Sequence, residues 1–284
     1  MEVTKYHALG NDYLVYDPKG SDMSLNEARI RLICDRHYGV GSDGILCGPE
    51  YCAGTPSVRI YNPDGSEAEK SGSGVRIFSK YLKDAGYVKE KSFTLSTVGG
   101  DVDVTFLNES GNVMRVFMGK LTFLSSEIPV SGARRVVVDE PMEFGGNLYR
   151  VTCVSIGNPH CVIPMEEIDS AHACELGPLV ENSEHFPNRI NMQLLKVIDR
   201  NNIQIEIYER GAGYTLASGT SSCAAAGAAH RLGLVDEHIT VHMPGGTIAI
   251  EILPDESVYM TGRVHRVGTT VFSPEFIEDL KDLK

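Results

Sequence analysis

The sequence predicts an α+β protein built from two copies of one unit, and three observations carry that prediction. Short alternating apolar segments bounded by Gly, Pro, Asn and Asp recur along the chain and outnumber the helical patterns, which favours mixed strand connections over a doubly wound parallel sheet. Each half carries one dominant helix opening on a Ser-Gly box, Ser71-Gly72-Ser73-Gly74 in the first and Ser218-Gly219-Thr220-Ser221 in the second. The boxes are 147 residues apart (218 − 71 = 147), and the same offset relates Tyr61 to Tyr208, Ile60 to Ile207 and Gly10-Asn11 to Gly157-Asn158. A fixed offset inside the most unusual stretches of both halves marks an internal duplication.

A chain of 284 residues can bury a substantial core. Its formal net charge of −12 argues against a nucleic-acid partner, because phosphate binding needs clustered Lys and Arg and no basic stripe is present. The seven cysteines, Cys34, Cys47, Cys52, Cys153, Cys161, Cys174 and Cys223, form no C-x-x-C pair, so reduced thiols are expected rather than disulfides or a metal site. The chain opens directly into Val3-Thr4-Lys5-Tyr6-His7, without a charged leader or a long apolar run. A cytoplasmic protein with no membrane partner is the expectation.

Taken in order, Val3 to Tyr16 reads as a strand, a Gly10-Asn11-Asp12 turn and a second strand. Ser24 and Glu27 have capping-box spacing, and Ala28, Ile30, Leu32 and Ile33 predict a helix running to about His37. Gly39 to Gly44 matches G-x-G-x-x-G by letters, but a helix precedes it and a strand at Ile45-Leu46-Cys47 follows. That is the reverse of a dinucleotide-binding turn, so no such cofactor is expected there. Val58 to Tyr61 is a strand feeding the loop Asn62 to Lys70. The helix after Ser73 has Val75, Phe78, Leu82 and Ala85 on one face and stops at Gly86. Strands follow at 93–96, 102–106 and 113–117.

The second copy is expected to open with strands near 135–138 and 148–155, with Gly157-Asn158 in the place of Gly10-Asn11 and a returning strand at 161–163. Residues 186–191 lead into a further strand. Ile203 to Tyr208 alternates strictly and delivers Glu209-Arg210 to a Gly-rich loop. The helix after Ser218 is almost wholly Ala and Gly, with no face to offer water, so it belongs inside its unit. Strands at 239–242, 247–252 and 258–262 complete the copy. The segment 274–283 is expected to pack back on the first unit, giving domains 1–118 (with 275–284) and 119–274.

Were the two units to face each other across a pseudo-twofold axis, Ser71 and Ser218 would approach one cleft from opposite sides, each at a helix N-terminus. The first-turn N–H groups at Gly72-Ser73 and Gly219-Thr220 have no partner within their helices and suit a carboxylate. Such an arrangement fits inversion at a carbon beside a carboxylate: one group removes a proton from one face and another returns a proton to the other. The helix dipoles stabilise the enolate-like charge, and the scheme requires no cofactor.

Several boxes, His7-Ala8-Leu9-Gly10-Asn11-Asp12, Gly41-Ser42-Asp43-Gly44, Asn62-Pro63-Asp64-Gly65-Ser66-Glu67, Gly157-Asn158-Pro159-His160 and Glu209-Arg210-Gly211-Ala212-Gly213, resemble in order those of the diaminopimelate epimerases. The resemblance covers nearly the whole chain. It implies two pseudo-symmetric domains, each a mixed strand barrel around a central helix, and a cofactor-independent amino-acid epimerase of lysine and cell-wall precursor synthesis, compatible with a homodimer. It also implies that Asn62, Asn191 and Arg210 hold the far end of the substrate, that Asn11 and Asn158 line the pocket, and that Glu209 meets the ammonium group. His160 is either a supporting residue or a structural imidazole, Asn residues are ordinary turn formers, and Thr220 is an ordinary cap.

The family's two catalytic residues are cysteines, where this chain has Ser71 and Ser218. Ser73 and Gly44 depart from the family pattern as well. A thiol is readily poised as thiolate at a helix N-terminus, whereas an alcohol is a far poorer base. Three explanations stand: engineered Cys→Ser changes, a natural variant with weaker or different proton-transfer chemistry or another amino acid as substrate, and a noncatalytic amino-acid-binding protein. Ser73 and Gly44 serve no purpose in an engineered inactive form, which favours the natural variant.

Overall fold

The structure, a computed structural model, describes residues 1–20, 23–52, 54–68 and 71–283. Glu69 and Lys70, placed in the first loop by the sequence, lie outside that set. The chain divides into two units, Met1–Val116 with Gly262–Lys284, and Phe117–Thr261.

The first unit contains β1 (Glu2–Ala8), β2 (Asn11–Tyr16), a 3-10 turn (Pro18–Gly20), α1 (Glu27–Cys34), β3 (Ile45–Cys52), β4 (Thr55–Tyr61), β5 (Glu67–Ala68), α2 (Gly72–Asp84), β6 (Ser92–Thr97), β7 (Gly100–Phe106) and the first half of β8 (Val113–Lys120). The second contains β9 (Glu140–Phe144), β10 (Asn147–Ser155), β11 (Pro159–Pro164), α3 (Ser170–Glu181), β12 (Asn191–Asp199), β13 (Asn202–Glu209), β14 (Gly213–Thr215), α4 (Gly219–Arg231), β15 (His238–Met243), β16 (Gly246–Ile252) and β17 (Ser257–Arg263). The chain ends with β18 (His265–Val271) and α5 (Pro274–Asp282), both in the first unit.

Strand pairing repeats between the halves. In the first unit β1–β2 is antiparallel, β2–β3 parallel, β3–β4 antiparallel, β4–β6 parallel and β6–β7 antiparallel. In the second, β10–β11, β11–β12, β12–β13, β13–β15 and β15–β16 run through the same alternation. The helices α2 and α4 begin and end at positions related by the offset seen in the sequence. A chance match of letters would not reproduce the strand order as well.

Each long helix is buried by its own unit's strands. In α4, Gly219 and every residue from Ser221 to Ala229 are buried, against β10, β11, β12, β13, β15 and β16. Small side chains make this approach feasible: a Cβ on Gly227 would sit 2.6 Å from a Leu121 methyl. The first unit's helix α2 packs on β1, β2 and β3 and buries Val75, Ile77, Phe78 and Leu82. Burying four such side chains is worth roughly 1.5–3 kcal/mol each before chain entropy is counted.

The structure corrects several expectations. Asn26, not Ser24, caps α1 by accepting from Arg29 N, and the helix ends at Cys34 because Asp35 turns to extended backbone. Ala85 is the exposed C-cap of α2 rather than part of its buried face. Residues 135–138 form only an isolated bridge, Val136 with Leu124, and the regular strand begins at Glu140; Asp139, at φ +50°, breaks the extension between them. The helix α3, capped by Asp169, was not anticipated, because Gly177 and Pro178 interrupt its apolar pattern. The units divide at 116 and 261 rather than at 118 and 274, since β18 pairs with β1 over Glu2–His7. The terminal helix α5 lies on α1, where Arg29 Nε donates to Leu280 O at 2.7 Å.

All seven cysteines are free thiols, with Cys34, Cys153, Cys161 and Cys223 buried. Among the described residues no helix is long and apolar enough to cross a membrane, and no cluster of three metal-ligating side chains occurs.

Candidate active site

Each unit presents a cluster of candidate residues at the start of its buried helix. In the first, Ser71 is the N-cap of α2, with extended backbone (φ −139°, ψ 123°), and its Oγ accepts from Gly74 N at 3.1 Å. That leaves Gly72 and Ser73, both buried in the first turn, with N–H groups that have no carbonyl within the helix. The Tyr13 hydroxyl, projecting from β2, lies 3.3 Å from Ser71 Oγ.

Asn11 and Asp12, which precede Tyr13 on β2, belong to a charged network. Asn11 Nδ2 and Asp12 N both donate to Asp43 Oδ2 at 3.0 Å, and Arg36 bridges Asp12 and Asp43 at 2.8 and 2.7 Å. Lys5 adds a second cation, 2.6 Å from Asp12. Burial alone would raise the Asp12 pKa, but Arg36 and Lys5 outweigh it and hold the carboxyl below its usual range. Asn62 is not drawn into the network: its Nδ2 donates to Ser66 Oγ at 3.0 Å and its N to Ser66 O, a local turn closed by side chain and backbone.

In the second unit, Ser218 caps α4 and accepts from Ser221 N at 3.4 Å, placing Gly219 and Thr220 in the first turn. A polar chain approaches it from β11. His160, 0% exposed, has Nε2 3.0 Å from Asn158 Oδ1; Asn158 Nδ2 donates to Thr220 Oγ1 at 3.3 Å, and Thr220 Oγ1 lies 3.5 Å from Ser218 Oγ. Burial drives the His160 pKa down to about 3, opposed by Gln193 and assisted by the Arg210 charge, so the imidazole is neutral at pH 7.

Glu209, at the end of β13, approaches Ser218 by another route. Burial raises its pKa, and the Ser218 hydroxyl, followed by that of Thr215, holds the rise back. Asn191 is a structural clamp: its Nδ2 donates to Pro159 O at 2.8 Å and its Oδ1 accepts from Arg210 N at 2.9 Å. Arg210 in turn donates to Asn188 O at 3.0 Å, and the next amide, Gly211 N, reaches the buried Glu181 carboxylate at 2.9 Å.

Within the first unit, then, the structure brings Ser71, Gly72 and Ser73 together at one helix start, with Asn11 in the charged network and Asn62 turned to a loop. Within the second it gathers Ser218, Gly219, Thr220, Asn158, His160 and Glu209, with Asn191 and Arg210 at the strand ends beside them. Sequence reasoning did not single out Tyr13, Asp43, Glu181 or Gln193. Asp43 was visible as half of a paired Asn-Asp and Ser-Asp motif; Glu181 lay in a helix whose pattern was obscured.

The sequence model described as diaminopimelate epimerase matches residues 3–124 and 152–267. The protein named diaminopimelate epimerase 2 of Nostoc sp. is 50% identical over 97% of this chain and 96% of its own length. This chain belongs to the diaminopimelate epimerase family. A diaminopimelate epimerase of Pelotomaculum thermopropionicum is 39% identical over 97% of this chain and 99% of its own. As a family member the chain is an isomerase of the amino-acid epimerase class. Solved structures share its fold at low identity: a probable proline racemase from Agrobacterium radiobacter K84 (TM-score 0.70, 14% identical, covering 96% of this chain and 93% of that one), and a hydroxyproline epimerase from Agrobacterium vitis (TM-score 0.68, 14%, 97% and 93%). The two-domain α+β architecture read from the sequence agrees with these neighbours.

Proposed function

We propose that this epimerase interconverts the L,L and meso forms of diaminopimelate, with Ser71 and Ser218 in the two proton-transfer positions and without a cofactor. The observation that carries the reading is that each serine caps a buried helix whose first turn, Gly72-Ser73 or Gly219-Thr220, offers N–H groups to a carboxylate. Those donors favour the charge that spreads onto the carboxylate when the α-proton leaves. The identity to the Nostoc diaminopimelate epimerase 2 supports the choice of substrate.

In this reading Glu209 supplies what a serine lacks as a base. Its carboxylate lies beside Ser218, and burial raises its proton affinity. The Asn158–His160 chain fixes Thr220, the neighbour of Ser218, with a neutral imidazole behind it. Asn11, Asn62, Asn191 and Arg210 are proposed to meet the rest of the substrate.

Chiral chromatography of L,L-diaminopimelate incubated with the native protein tests the proposal, which expects the meso form to accumulate. Serine at both positions favours a second reading, an amino-acid-binding protein. Micromolar binding by calorimetry with no stereochemical change at high protein concentration would establish it in place of the first.

A further inference from the structure

We propose that Tyr13 is a positioning residue that makes Ser71 a proton donor, an inference that rests on Ser71 being a proton-transfer group. A serine hydroxyl has one hydrogen to give and two lone pairs to accept with. One lone pair of Ser71 is engaged by Gly74 N–H at 3.1 Å, and the Tyr13 hydroxyl lies 3.3 Å away in position to engage the other. With both acceptor positions filled, the Ser71 hydrogen is the part of the group left to point at a ligand. An oxygen that receives two hydrogen bonds gives up its proton more readily, because both bonds strengthen as negative charge develops on it.

The phenol also offers the charge a place to rest. When a carbanion takes the Ser71 proton, the O–H bond of Ser71 breaks and a C–H bond forms. The Tyr13 proton then passes to Ser71 Oγ, and the negative charge ends on the phenolate. Tyrosine has a reference pKa near 10, whereas an unassisted serine alcohol does not ionise in the protein range. The reverse step returns each proton. Ser218, set beside the Glu209 carboxylate, has the opposite bias and suits proton removal.

The ring is built into this position. Tyr13 is 7% exposed, and a Cβ at Gly44 would lie 2.7 Å from its Cε1 and 3.1 Å from its Cδ1 while also striking the Tyr61 carbonyl oxygen. Any side chain at 44 would displace the phenol or the strand, so Gly44 and Tyr13 act as one feature serving Ser71.

The test reads the contact without turnover. In full-length Ser71→Cys protein, iodoacetamide alkylation of the introduced thiol is followed across pH by peptide mass spectrometry, with and without Tyr13→Phe. The phenylalanine keeps the ring and deletes only the donor. The expected result is an apparent thiol pKa about one unit higher with Tyr13→Phe, and a rise in the same direction with Gly44→Ala, which crowds the ring. An unchanged or lower pKa in a folded Ser71→Cys/Tyr13→Phe protein overturns the inference. Because no substrate is involved, failure to epimerise diaminopimelate would sink the functional reading and leave this result to be scored by itself. In the native chain Tyr13→Phe is expected to lower kcat about tenfold with KM unchanged; a rise in KM at constant kcat would also overturn it.

Discussion

Acid should destabilise this protein through His160 in a way that a single substitution removes. The imidazole is fully buried, bonded through Nε2 to Asn158, and held by burial at a pKa of about 3. The unfolded chain takes up a proton near pH 6.5, where the folded protein does not, so the unfolded state binds more protons and stability falls as pH drops below that point. The loss approaches about 1.4 kcal/mol per pH unit: roughly 2 kcal/mol by pH 5, and more until the folded pKa is reached. Glutamine at 160 can keep a donor near Asn158 Oδ1 but does not titrate. Urea unfolding at pH 7.5 and pH 5 should therefore show the native protein losing about 2 kcal/mol more than His160→Gln over that interval. The carboxylates common to both proteins cancel in the comparison. Parallel losses would refute the assignment of a neutral, buried imidazole behind Thr220.

Three further outcomes follow from named contacts. Ser218→Ala removes the acceptor for Ser221 N and should cost about 1 kcal/mol in chemical denaturation, in addition to abolishing stereoinversion. Gly177→Ala places a methyl against the Tyr208 ring inside the second unit and should cost about 1–3 kcal/mol, seen as a lowered urea midpoint with an unchanged slope. Arg36→Ala should raise the Asp12 pKa in a carboxyl-carbon NMR titration. Asp12 contributes stability above its unfolded pKa and loses it as pH falls through the depressed folded value, so the variant should lose stability mainly above pH 4, by less than about 1 kcal/mol because Arg36 is more than half exposed.

What the sequence made legible was whatever depends on local pattern. The offset relating Ser71 to Ser218 located both buried helices, and strict alternation located β13, because a duplicated unit repeats its helix caps and its strand period together. The helix α3 was hidden because Gly177 is required by contact with Tyr208, a residue of another element, and local pattern carries no trace of that need. Asn191 read as a turn or ligand residue and proved to join β11 to the Arg210 amide, since its hydrogen bonds are to segments distant in sequence. Tyr13 escaped for the same reason: its hydroxyl matters only once β2 is set beside the cap of α2.

The central claim, that the helix N-termini bind the amino acid while the two serines limit proton transfer, is tested most directly by α-proton exchange in heavy water. Deuterium incorporation into L,L-diaminopimelate would be compared between the native protein and Ser71→Cys/Ser218→Cys. The account predicts a sharp rise in turnover with little change in KM, because a stronger acid–base pair acts on the chemical step and the backbone donors act on binding. A double variant that binds the amino acid as before and exchanges no proton with any diamino acid would contradict it.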